Sequence, residues 1–187
     1  MRIMDSKFVL SVLFYGSIWG AMEAVVGGFL HRTLPFFPYN GVIMIALAAP
    51  LLASLPREKG IIIATGCVAA SFKTLNFIFF TSPSIFRPMM AIMVEALMLE
   101  TILLVSERYR GVAIGTAGSL GTFAAYLMPP RIAINPTYAL SFIIMSLILC
   151  PMMLVIVKLN KKPSAGEATG TVTFCIALSL LAMVLFR

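Results

Sequence analysis

A chain of 187 residues has the length of one ordinary domain, but it is 60% apolar and only 11% charged, a balance that water-soluble domains do not show. Its net charge of +7 accompanies long apolar stretches rather than a basic stripe, which argues against a nucleic-acid partner, and the same composition excludes disorder and collagen-like repeats. Mean hydropathy is +1.02, and seven nearly uncharged runs hold 130 of the 187 residues, the pattern of a polytopic membrane protein.

The first run, 8–30, follows MRIMDSK and superficially resembles a secretory signal. It is longer than the apolar region of such a signal, contains Glu23 and lacks a small-residue cleavage pattern, so it reads as a retained first span. The second run, 41–55, has 15 residues, fewer than the ~17 to 25 of a typical crossing. Runs 60–80, 88–105, 111–128 and 138–157 have spanning length, and 172–186 is again short. Between them lie LPFFPYN, LPREKG, TSPSIFRP, ERYRG and MPPRIAINP, clusters of Pro, Gly and charge that end helices. The linker KLNKKPSAGEATG is polar and rich in small residues, which predicts a last helix loosely attached to the rest. The expected fold is all-α: a polytopic transmembrane helical bundle of six to seven spans. It divides into a six-helix membrane bundle over 1–159, a polar linker over 160–171 and an additional apolar helix over 172–187.

Orientation follows from Lys and Arg on alternate sides. One face collects Arg2, Lys7, Arg57, Lys59, Arg108, Arg110, Lys158, Lys161 and Lys162; the other has Arg32, Arg87, Arg131 and Arg187. By the positive-inside rule the N-terminus is cytoplasmic.

Several absences bear on chemistry. The chain has a single histidine, His31, and no HExxH, GxSxG, GxGxxG or Walker A pattern, and its one aspartate, Asp5, precedes the first run. The reading is therefore not an enzyme, with no cofactor and no metal. Cys67, Cys150 and Cys175 fall inside apolar runs without a CxxC pair and read as small core residues.

Within the first run Gly16, Gly20, Ala24 and Gly28 recur every four residues, and Ala113, Ala117, Gly121 and Ala125 do so in the fifth. Such stripes let a second helix approach closely, either inside the bundle or on a membrane partner. Four ionisable residues lie inside the runs: Glu23, Lys73, Glu95 and Glu100. Each costs ~2.5 to 3.5 kcal/mol on insertion scales unless solvated or paired. With the orientation above, Glu23, Lys73 and Glu95 each lie seven residues from an outer helix end, roughly 10 Å deep. A single layer is expected, with Asn76 beside Lys73, acting as a solute site or as an ion-pair clasp. Glu100 lies near the cytoplasmic end, where snorkelling or pairing with Arg108 would satisfy it. Arg32, Arg87 and Arg131 each sit in an outer loop among Phe36, Phe37, Tyr39, Phe80, Phe86 and Tyr138. The aromatics suit an interfacial belt, and the arginines suit lipid headgroups or an anionic solute.

Together, the short helices, the small-xxx-small first helix, the Pro- and aromatic-rich first outer loop and the polar outer half resemble the substrate-binding S components of energy-coupling factor (ECF) vitamin transporters. The resemblance covers approximately residues 8–159 and is architectural; the additional seventh run departs from it, and no ligand-specific motif is present. It implies a prokaryotic cytoplasmic-membrane protein that captures a vitamin-like solute near the outer face and docks on a membrane coupling subunit with two cytoplasmic ATPases. Carried over, Gly16, Gly20 and Ala24 would form the docking stripe, and 31–39, with Phe36, Phe37 and Tyr39, the gating loop. Glu23, Lys73, Asn76, Glu95, Arg32 and Arg87 are the candidate solute-binding residues, with Lys73 meeting a carboxylate or ring acceptor. The alternatives are an autonomous proton- or ion-coupled carrier, with Glu23 and Glu95 as protonation sites, and a structural membrane subunit.

Overall fold

The computed structural model describes residues 6–33, 40–75, 86–105 and 163–185, together with 116–118, 120, 121, 124, 140, 144 and 148. Phe36, Phe37, Tyr39, Asn76, Arg131 and the side chain of Arg32 lie outside the described residues. Every regular element described is a helix: α1 Ser6–Thr33, α2 Asn40–Ala53, α3 Ile61–Thr74, α4 Phe86–Val105 and α5 Ala165–Leu185. Positions 116–118, 120, 121, 124, 140, 144 and 148 are helical as well.

Four ionisable side chains are buried alongside the apolar core, and several large apolar ones are exposed. Glu23, Lys73, Glu95 and Glu100 are buried, whereas Phe86, Met90 and Leu97 of α4 are exposed, as are Leu140, Ile144 and Ile148. Both exposed trios share one helical face by their spacing. Leu97 is 54% exposed and Phe174 of α5 66%. Water would penalise such a surface at ~25 cal/mol per Å² of apolar area; a hydrocarbon surround would not. Among the described residues one helix, over Ser6–Gly27, is long and apolar enough to cross a membrane, with a hydropathy of 1.6.

α1 is the hub. It packs on α2, α3 and α5, and α3 packs in turn on α4. Tyr15, Trp19 and Val12 of α1 join Ile45 of α2, Ile61 of α3 and Ile92 of α4 in one core.

α2 carries Pro50 within its last turn. Proline removes a helical N–H and crowds the preceding turn, and the helix stops at Ala53, where the Ser54 hydroxyl donates to the Pro50 carbonyl at 2.7 Å. At 14 residues α2 is roughly 21 Å long. The chain enters α3 through Gly60, whose φ of 84° lies in the left-handed region that glycine adopts without a Cβ clash.

The C-terminal region corrects the sequence reading. The segment 160–171 is not a linker throughout, because α5 begins at Ala165. Ser164 and Glu167 form a reciprocal capping box: the Ser164 N–H and hydroxyl donate to Glu167 Oε2 at 2.9 and 3.0 Å, and the Glu167 N–H donates to Ser164 Oγ at 3.3 Å. This arrangement satisfies free donors at a helix start. Nor is the last helix loosely attached: Ala21 of α1, Phe72 of α3 and Cys175 of α5 form a second buried cluster.

Candidate functional site: a buried ionisable core

The expected contact between small residues and a helix is present, and the helix is α3. A Cβ on Gly16 would lie 2.7 Å from Val68 Cβ and 2.9 Å from the Thr65 carbonyl oxygen, and one on Gly20 would lie 2.7 to 2.8 Å from Phe72. No Cβ fits at those distances, so the glycines are what allow α1 and α3 to touch. Gly16, Gly20 and Ala24 are all buried. The Gly16–Gly20 face is therefore occupied within the chain, and a docking partner would reach it only by displacing α3.

The same packing sets two charges together. Lys73, in the last turn of α3, places Nζ 3.3 Å from Glu23 Oε2 and donates to the Glu23 backbone carbonyl at 2.6 Å. The two side chains are 7% and 9% exposed. Gly27, one helical turn beyond Glu23, lies beside the pair: a Cβ there would stand 3.5 Å from the ammonium, an ordinary contact. Lys73 thus donates one hydrogen bond to the main chain of Glu23 and forms an ion pair with the carboxylate of the same residue.

Glu95 is 3% exposed and takes no part in that pair. Glu23 is close enough for its charge to bear on Glu95, yet the Lys73 ion pair goes to Glu23. The Glu95 side chain lies along the backbone near Gly121, where a Cβ would meet Glu95 Oε1 at 2.8 Å and the Ala91 carbonyl oxygen at 2.7 Å. Gly121, one of the small residues of the second stripe, makes room for a carboxylate. Among the described residues no hydrogen bond or ion pair reaches the Glu95 oxygens.

α3 and α4 meet in a defined register. Gly66 of α3 packs on Ala96, the residue after Glu95, with a Cβ on Gly66 falling against Ala96 Cβ and 3.8 Å from Trp19 Cζ3. Lys73 is seven residues further along α3, roughly 10 Å at 1.5 Å per residue. The register between α3 and α4 is set by the Gly66–Ala96 contact, not by where each apolar run begins.

Glu100 has a role that inspection of its own helix does not reveal. From α4 its carboxylate reaches the start of α3, accepting the Gly60 N–H on Oε1 at 2.7 Å and the Ile62 N–H on Oε2 at 2.9 Å. The first N–H groups of a helix have no internal acceptor and carry the positive end of its dipole, so a buried carboxylate is matched to them. The expectation of snorkelling is replaced by this cap, and Arg108 lies outside the described residues.

Of the remaining candidates, Arg87 is half-buried in the first turn of α4, eight residues and roughly 12 Å from Glu95 along the helix. Among the described residues no group of three or more His, Cys, Asp or Glu could hold a metal ion. No family model matches the chain, and neither does any curated protein or solved structure.

Proposed function

We propose that the chain is a non-enzymatic, multi-pass membrane subunit that binds a small vitamin-like solute, and that it works with a separate membrane coupling subunit and two cytoplasmic ATPases, in the manner of an ECF S component. The observation that supports this reading is Glu95: a carboxylate buried in a bundle with an apolar exterior and without a protein partner among the described residues. An ionisable side chain retained inside a membrane marks a ligand or ion pathway by default. The Lys73–Glu23 pair and the Glu100 cap are self-sufficient; Glu95 is not. The chain has no nucleotide-binding pattern of its own, so energy for uptake would come from elsewhere.

The proposed location is a prokaryotic cytoplasmic membrane, as the S-component resemblance implies, with the N-terminus inside, the orientation that the distribution of Lys and Arg favours. Because the glycine stripe is filled by α3, the coupling subunit would dock on another face. An autonomous ion-coupled carrier shares the dependence on Glu95 and differs in its partners. A tagged chain, extracted from its native membrane in mild detergent, separates the two. Co-purification with an ATPase module is expected, and recovery of the chain alone would favour the carrier.

A further inference from the structure

We propose that Glu95 is a proton-binding site: its carboxyl is held as the neutral acid while α4 is packed against the helical segment bearing Gly121, and it gives up that proton when the contact opens. The inference goes beyond the solute-binding reading and does not depend on the identity of a solute.

The surroundings of the carboxyl suit an uncharged group. Glu95 is 3% exposed, and Ile92, Ala96 and Leu99 beside it on α4 are buried apolar residues. Gly121 fits so closely that a Cβ there would collide with Glu95 Cγ and stand 2.8 Å from Oε1. The Ala91 carbonyl oxygen, 2.7 Å from the same position, is an acceptor and gives a carboxylate no support. Among the described residues no donor or cation reaches the Glu95 oxygens. Burying an ionised carboxylate in that condition costs far more than burying the neutral acid.

The charges nearby do not alter this. On α1, Glu23 is close enough to bear on Glu95. On α3, Lys73 forms its ion pair with Glu23, at 3.3 Å, and Cys67 is exposed. On α4 itself, Arg87 stands eight residues away, roughly 12 Å along the helix, and both oxygens of Glu100 are taken by the Gly60 and Ile62 N–H groups. Neither α2 nor the described positions from 116 to 124 carry a titratable side chain. The one ammonium between two glutamates is engaged by the first, and a second carboxyl beside an ionised one favours its protonated form.

Size completes the case. A solute needs a cavity and a metal ion needs several ligands, whereas Gly121 closes directly on Glu95 and no metal-binding group of three is present among the described residues. A proton requires neither. In water a glutamate is ionised at neutral pH, so separation of Gly121 from Glu95, which admits water, and release of the proton are one event.

The test compares the full-length protein with Glu95→Gln, whose amide stands in for the neutral acid, by SDS unfolding in mild detergent between about pH 5 and about pH 8. A proton bound in the folded state and lost on unfolding makes the unfolding equilibrium constant rise with pH, by up to about tenfold per unit. The wild type is therefore expected to lose stability relative to Glu95→Gln as pH rises, with the two closest at the acid end. An infrared spectrum of the folded wild type at neutral pH should also contain the C=O stretch of a protonated carboxyl, above the amide I band, that Glu95→Gln lacks. Parallel pH profiles, absence of that band, or a Glu95→Gln protein that is less stable than wild type or fails to fold at the acid end would each overturn the assignment.

Discussion

Replacing Glu100 with Ala removes the acceptor of two main-chain donors at the start of α3, at 2.7 and 2.9 Å. Each hydrogen bond to a charged group contributes about 1.5 to 3 kcal/mol, and each buried donor left without an acceptor costs about 1 to 3 kcal/mol. The helix dipole adds about 0.3 to 1 kcal/mol. Against this, the wild-type protein bears the cost of desolvating a carboxylate that is 6% exposed, and removing the side chain relieves it. The net expectation is a loss of about 3 kcal/mol for Glu100→Ala. Glu100→Gln keeps one oxygen for one N–H and turns an amide toward the other, so about half that loss is expected. Unfolding of the purified protein by SDS titration in a mild detergent, followed by circular dichroism, gives the order wild type, Gln, Ala. An Ala variant within about 0.5 kcal/mol of wild type, the scale of ordinary surface substitutions, would refute the cap.

Gly20→Leu should destabilise the fold rather than selectively impair docking, since even a Cβ at Gly20 collides with Phe72; overpacking of this kind costs about 1 to 3 kcal/mol. Phe72→Ala should rescue part of that loss in a double-mutant cycle, and purely additive effects would place the contact elsewhere. Ser164→Ala should lower stability by about 0.5 to 2 kcal/mol through loss of the α5 cap, read by hydrogen exchange at 165–168; unchanged protection there would contradict the capping box. A single cysteine in place of Lys59, in a background lacking the native cysteines, should resist membrane-impermeant thiol reagents in intact cells, and ready labelling would invert the proposed orientation.

The features legible in the sequence were those that depend on one helix at a time. The lengths of α1 and α4 followed from their apolar runs and from Pro88, which the first turn of a helix tolerates. The pairing of Lys73 with a glutamate followed from the cost of an unpaired intramembrane charge. What escaped were relations between helices. The stripe of Gly16 and Gly20 announces that some helix comes close without naming it, and α3 and a partner subunit are equivalent from spacing alone. Glu100 finds Gly60 and Ile62 only because α3 and α4 run antiparallel in one particular register. The start of α5 was different, because its signal was present in the chain: Ser164 followed at the third position by Glu167 is a capping box, and the surrounding polar residues masked it as a linker.

Native mass spectrometry of the wild-type chain beside Glu95→Gln, both released gently from their own membrane, tests the central claim most directly. A wild-type protein carrying a bound non-lipid small molecule, with that mass depleted in the Glu95→Gln variant, is the predicted result. Wild-type spectra containing only protein and lipid, or a bound solute retained equally by both proteins, would contradict the account.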